Sequence, residues 1–241
     1  MSHPHETRAV ELEHVQAAVT ALVEDVFDSL RTVASAATSL WDRLESEGTA
    51  PRSTDLSVLR DVINGELRRQ GEMFNGAGVV VADGVLADSP RYLEWWRPDV
   101  KHGGPAQKLS LDLNPQSEYF YDYTTMDWFA RPRDQGTRWI DGPYLDYTGV
   151  DLYVCTFAVP VASSHGVFLG VAAADVPVAR LDAVLLPTFT AGSGALALAN
   201  AEGRVIIANH PDHVTGCKIR DGALGPPRPV PATPWSLVPL K

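Results

Sequence analysis

Residues 6–47 contain neither Gly nor Pro, and apolar side chains recur through them at Leu12, Val15, Val19, Leu22, Val26, Leu30, Val33, Ala37, Leu40 and Leu44. The spacing alternates between three and four residues, which keeps all of them on one face of a helix. Gly48 and Pro51 close the run as a helix stop. Such a helix spans roughly 60 Å at 1.5 Å per residue, more than the width of a small domain. It must therefore lie along a sheet of its own chain, pair with a second copy, or do both. A homodimer through this helix is the sharper expectation.

The rest of the chain changes period. Thr54–Gln70 predicts a second helix with Thr54 or Asp55 as N-cap. Gly78–Ala82, Asp83-Gly84 and Val85–Ala87 predict two short strands around a hairpin turn. Further strands are expected at 137–141, 152–162 and 167–175, the last two joined by Ser163-Ser164-His165-Gly166. Sequential hairpins imply an antiparallel sheet. Arg91–Arg133 reads as a long aromatic-rich connection. A short helix follows at Arg180–Phe189, stopped by Pro187, then a hairpin of 195–200 with 204–208. Asp221–Pro234 reads as an extended linker, because its prolines cannot join a sheet interior, before a last strand at Trp235–Leu240.

With 45% hydrophobic and 21% charged residues, a globular α+β chain is expected. Thirty acidic against 20 basic residues make nucleic acid an unfavourable partner. No stretch reaches the roughly 20 apolar residues of a membrane-spanning helix, and the first residues lack the pattern of a signal peptide, so no membrane partner and a cytoplasmic location are expected. Cys155 and Cys217 read as reduced thiols.

Catalytic and cofactor motifs are incomplete. His102-Gly103-Gly104-Pro105 is similar to an oxyanion-hole loop, yet no nucleophile elbow accompanies it. Gly76-x-Gly78 lacks the third glycine of a dinucleotide site, and no P-loop occurs, so no cofactor is expected. His210-x-x-His213-x-x-x-Cys217 offers three ligands and no fourth, so a turn is favoured over a metal site. No catalytic residue is identified.

The strongest signal is Tyr119–Phe129, followed by Thr137–Asp146 with its Gly142-Pro143-Tyr144, then Phe157–Val161 ending Val-Pro-Val, then Leu169-Gly170-Val171 leading to Asp175. This order resembles the Cache family of PAS-like (PDC) sensor domains over roughly residues 6–208. The resemblance implies an antiparallel sheet behind a long N-terminal helix, and with the hairpin and last strand read above the chain is expected to divide into that helix (1–50), a PAS-like ligand-binding domain (51–190) and a small C-terminal β module (191–241). It also implies a pocket between the sheet and the aromatic connection, with Tyr121, Met126, Trp128, Phe129, Arg131, Tyr144, Asp146, Tyr153 and Asp175 as candidate ligand contacts. Amino-acid-binding members place an arginine two residues before the Trp. Met126 stands there, and Arg131 or Arg133 is the available replacement. What survives is an anionic Asp175 among aromatic faces, which suits an ammonium group.

The expected function is a sensor domain recognising an amine, amino acid or small carboxylate, passing its signal to a partner protein. Two alternatives stay open: an enzyme recruiting Asp175, His165 or Cys155 in the same pocket, and a structural dimer without ligand. Trp128, Phe129 and Tyr144 also fit an ordinary core, and Asp175 also fits a cap for the helix near Val178.

Overall fold

A computed structural model describes residues 4–99, 103–146, 152–192, 194–219 and 223–241. The N-terminal helix α1 runs from Pro4 to Ser46. Val15, Val19, Val26, Leu30, Val33, Ala37, Leu40 and Leu44 are each at most 6% exposed, joined by Val23, Phe27 and Trp41. Eight of the ten stripe residues are thus buried by the chain itself, and Leu12 and Leu22 are half-buried. Gly48 at φ +64 ends the helix, with Gly48 N–H donating to Glu45 and Thr49 N–H to Leu44.

The second helical segment starts as a 3₁₀ turn at Ser53–Leu59 and becomes α2 at Arg60–Gln70. Its cap is Arg52, so Thr54 and Asp55 are inside the turn and the expected N-cap is corrected. Asp55 instead accepts the Arg52 N–H at 2.8 Å.

The main sheet has the order β3-β2-β1-β6-β5-β4. Its strands are β1 (Gly76–Val81), β2 (Tyr92–Asp99), β3 (Gly104–Lys108), β4 (Trp139–Asp146), β5 (Leu152–Ala162) and β6 (Phe168–Pro177). It is antiparallel, as the hairpin spacing implies, and has six strands. One strand was misplaced: 85–87 does not pair with β1, and Val81 pairs with Tyr92 instead. Three apolar residues bracketed by turn formers are too few to compete. Ala87 N–H goes to Pro51, and Asp88 takes both the Ser53 N–H and hydroxyl at 2.8 Å.

The supposed connection 91–133 holds β2, β3 and the helix α3 (Asp127–Gln135). β3 is a polar, mostly exposed edge strand starting Gly-Pro, the composition of a loop. α3 carries Pro132 in its interior and has no side-chain cap, which hides it equally well. Gly103, at φ +62, turns β2 into β3. His102 lies outside the described residues.

Helix α4 runs from Val178 to Thr190, through Pro187. That proline does not stop it, because Val178, Leu181, Leu185 and Phe189 hold its inner face buried. A second sheet follows in the order β8-β7-β10-β9, from β7 (Leu196–Ala199), β8 (Val205–Ala208), β9 (Arg228–Pro229) and β10 (Ser236–Pro239). The proline-rich stretch contributes β9, a two-residue edge strand where a missing N–H does no harm. The chain divides into two compact units: Met1–Asp25 with Ile140–Cys155 and Val176–Lys241, and Val26–Trp139 with Thr156–Asp175.

Candidate ligand-binding site

In the second unit, β1 pairs with β6 so that Gly76 stands opposite Asp175, and with β2 so that Gly78 stands opposite Trp95. Directly opposed residues share a face, so Asp175, Gly76, Gly78 and Trp95 occupy one side of the sheet. Trp95 lies over Gly76: a Cβ there would come 2.5 Å from the indole Nε1. The neighbouring Trp96 points the other way, under the Arg60 guanidinium of α2 at 4.7 Å. The adjacent tryptophans face opposite sides, as alternation in a strand requires. Asp175 is half-buried, and Thr156 donates its hydroxyl to Oδ1 at 2.6 Å. It does not cap α4, whose N-cap is Pro177.

The aromatic residues before and within α3 form a packed group. Tyr123 and Phe129 lie 5.2 Å apart, Trp128 and Phe129 6.1 Å, and Phe129 and Phe168 5.8 Å. Trp128 and Phe129 are 6% and 1% exposed. Met126 caps α3 and is exposed, and Tyr121 is half-buried with its N–H donated to Asp112. Arg131 is half-exposed, 3.5 Å from Asp127 and 4.9 Å from the Trp139 ring. Arg133 is spent on Asp134 at 2.7 Å and on the Thr124 carbonyl. Tyr144, Asp146 and Tyr153 belong to the first unit. There Tyr144 is half-buried, Asp146 is buried, and Tyr153 is exposed beside Gly216.

Residues that the sequence reading overlooked hold the surroundings together. Arg91 pairs with Asp83 at 3.2 Å and Asp122 at 2.9 Å and covers the Phe120 ring, pinning the aromatic segment to the β1–β2 loop. The Thr124 hydroxyl, helped by Arg91, holds the Asp122 carboxyl below the usual range. On the opposite face of β2, Glu94 is 1% exposed and accepts from Trp96 Nε1, Tyr92 and Lys108. Burial opposes the Lys108 charge, yet its hydrogen bonds to Glu94 and Tyr92 outweigh that and hold the ammonium above its ordinary pKa. Strict alternation in Tyr92, Glu94 and Trp96 was the available signal, masked by the adjacent Trp95.

Tyr123 is fully buried and donates its hydroxyl to the Val81 carbonyl at 2.7 Å. Burial pushes its phenol up to about 12. Below about pH 10 both folded and unfolded chains keep this proton, so the stabilisation is fully present there. Between about pH 10 and 12 only the unfolded chain loses it, and stability falls by about 1.4 kcal/mol per pH unit. Thermal melts of Tyr123→Phe should show a shallower alkaline decline than wild type, with a lower melting temperature at neutral pH from the lost hydrogen bond.

Groups named for the enzyme alternative do not converge. Cys155 is 0% exposed, and burial with the Asp141 charge pushes its thiol up. His165 is exposed in the β5–β6 turn, and the length of β6 separates it from Asp175 by roughly 20 Å. His210 and His213 lie in the turn after β8, rings 5.4 Å apart. Among the described residues no group of three or more potential metal ligands is gathered, and no helix is long and apolar enough to cross a membrane.

Residues 89–183 match the family described as methyl-accepting chemotaxis protein-like, first PDC sensor domain. Over that stretch, which is less than half of the chain, the sequence resembles PDC sensor domains of the Cache kind. The fold recurs in solved structures. The extracellular domain of the histidine kinase mmHK1S-Z3 superposes with a TM-score of 0.69 at 13% identity, covering 99% of this chain and 95% of that one. The ligand-binding domain of the Pseudomonas aeruginosa amino acid chemoreceptor PctB, in complex with L-Arg, gives 0.56 at 16% identity over 98% and 86%. That of the P. aeruginosa chemoreceptor PctC, in complex with GABA, gives 0.55 at 19% over 94% of each. No curated protein matches the chain. In this chain the Leu-Gly-Val strand that leads to Asp175 is β6, at the centre of the sheet.

Proposed function

We propose that this PDC domain binds a small amine, with Asp175 as the ammonium acceptor, and acts as a sensor without catalysis. The observation that carries the reading is the placement of Asp175: half-buried at the end of a central strand, oriented by Thr156, and opposite a glycine over which the Trp95 indole lies. A carboxylate so held offers charge-assisted hydrogen bonds, and aromatic faces add about 0.5–2 kcal/mol for a cation. L-Arg and GABA, bound by the two chemoreceptors, both carry an amino group, which agrees with this chemistry. A carboxylate on the ligand is not required, because Arg131 and Arg133 already have acidic partners. A homodimer through α1, in the cytoplasm, belongs to the same proposal. It would use the outer helix face, where Ala17, Ala21, Asp25 and Asp28 are exposed.

Thermal-shift measurements against amines, amino acids and short carboxylates test this. An amine-bearing compound should raise the melting temperature in proportion to RT ln(1 + [L]/Kd), and the shift should vanish in Asp175→Ala while the fold persists. An undiminished shift in that variant removes the ammonium assignment, and turnover of the compound removes the non-catalytic reading.

A further inference from the structure

We infer that the first unit carries a second small-molecule site, separate from Asp175, which takes a short apolar amine. A cavity of about 240 Å³ opens between the beginning of α1, the end of α4 and strands β7 and β10. Val10, Val15, Phe189, Leu196 and Pro239 form its apolar walls. Pockets for drug-sized ligands run about 300–1,000 Å³, so this one suits a single short alkyl or aralkyl chain.

One feature sets the charge of its occupant. Glu11 lies on the wall, half-buried, and among the described residues its carboxylate has no hydrogen-bond or ion-pair partner. A carboxylate partly withdrawn from water among apolar side chains is stabilised most by a cation that brings its own hydrogen-bond donors. The cavity also depends on a missing side chain beside that group. A Cβ on Gly192 would stand 3.1 Å from Glu11 Oε2, so anything larger than glycine reaches into the space an ammonium would occupy. The occupant therefore places its nitrogen between Glu11 and the Gly192 backbone and its hydrocarbon against Val15, Phe189 and Leu196.

The test uses the full chain, with hexylammonium, 1-hexanol and hexanoate as probes in titration calorimetry. Hexylammonium should bind saturably and hexanoate should not. Glu11→Gln should weaken hexylammonium about tenfold or more, the loss of one charge-assisted contact, and leave 1-hexanol unchanged. Gly192→Leu should abolish binding of both, and Val10→Trp, which closes the mouth from an exposed position, should do the same if the first variant folds poorly. Asp175→Ala should change none of these values, which separates this site from the one proposed above. Hexylammonium binding that survives both occluding variants, that disappears in Asp175→Ala, or that never saturates overturns the inference.

Discussion

Gly78→Ala is expected to abolish the stable fold. The added Cβ would stand 2.1 Å from the Glu94 carbonyl oxygen and 2.7 Å from Trp95 Cα, both backbone atoms of the neighbouring strand. No rotamer change relieves a backbone clash, so β2 would have to move away from β1 and lose the Gly78–Trp95 and Ala77–Trp96 pairing. The cost should exceed about 4 kcal/mol, a large part of the 5–15 kcal/mol typical of a folded chain. Gly65, inside α2 with nothing within 4 Å of its would-be Cβ, is the matched control. There Ala should stabilise by about 0.5–1 kcal/mol, since glycine is a poor helix former. Urea melts of the two variants should therefore move in opposite directions.

Lys108→Met should cost about 3 kcal/mol, through what it leaves behind. Glu94 would keep Trp96 and Tyr92 as donors but lose its cation at 2.6 Å while remaining 1% exposed. Removing the half-exposed cation leaves the buried Glu94 carboxylate uncompensated, whereas neutralising both partners can be almost neutral. The double variant Lys108→Met with Glu94→Gln should thus recover more than half of the loss. A double variant as unstable as the sum of the two single changes would show that Lys108 acts through packing on the Tyr92 ring, 4.9 Å away.

Periodicity made most of this architecture legible. The α1 stripe, β5 at 152–162 and the paired β7 and β8 follow from spacing alone, because each buries an uninterrupted apolar face. Elements that depend on neighbours were obscured. β3 survives as an edge strand because Lys108 reaches Glu94 and its backbone joins β2, neither of which is visible in Gly-Pro-Ala-Gln-Lys. Pro132 and Pro187 argue for breaks that buried helix faces overrule. For the candidate site, Asp175 was identifiable from its motif. Its partners Thr156, Gly76 and Trp95 were not, since strand register decides who stands beside whom and a single sequence does not state register.

The junction after Asp175 has a mechanical consequence. β6 ends at Pro177 and α4 begins at Val178, with no loop residue between them. Pro177 sits at φ −60 and ψ 132, and its ring locks the first of those angles. The backbone that leaves Asp175 thus passes through no flexible loop before it enters the first turn of α4, three residues on.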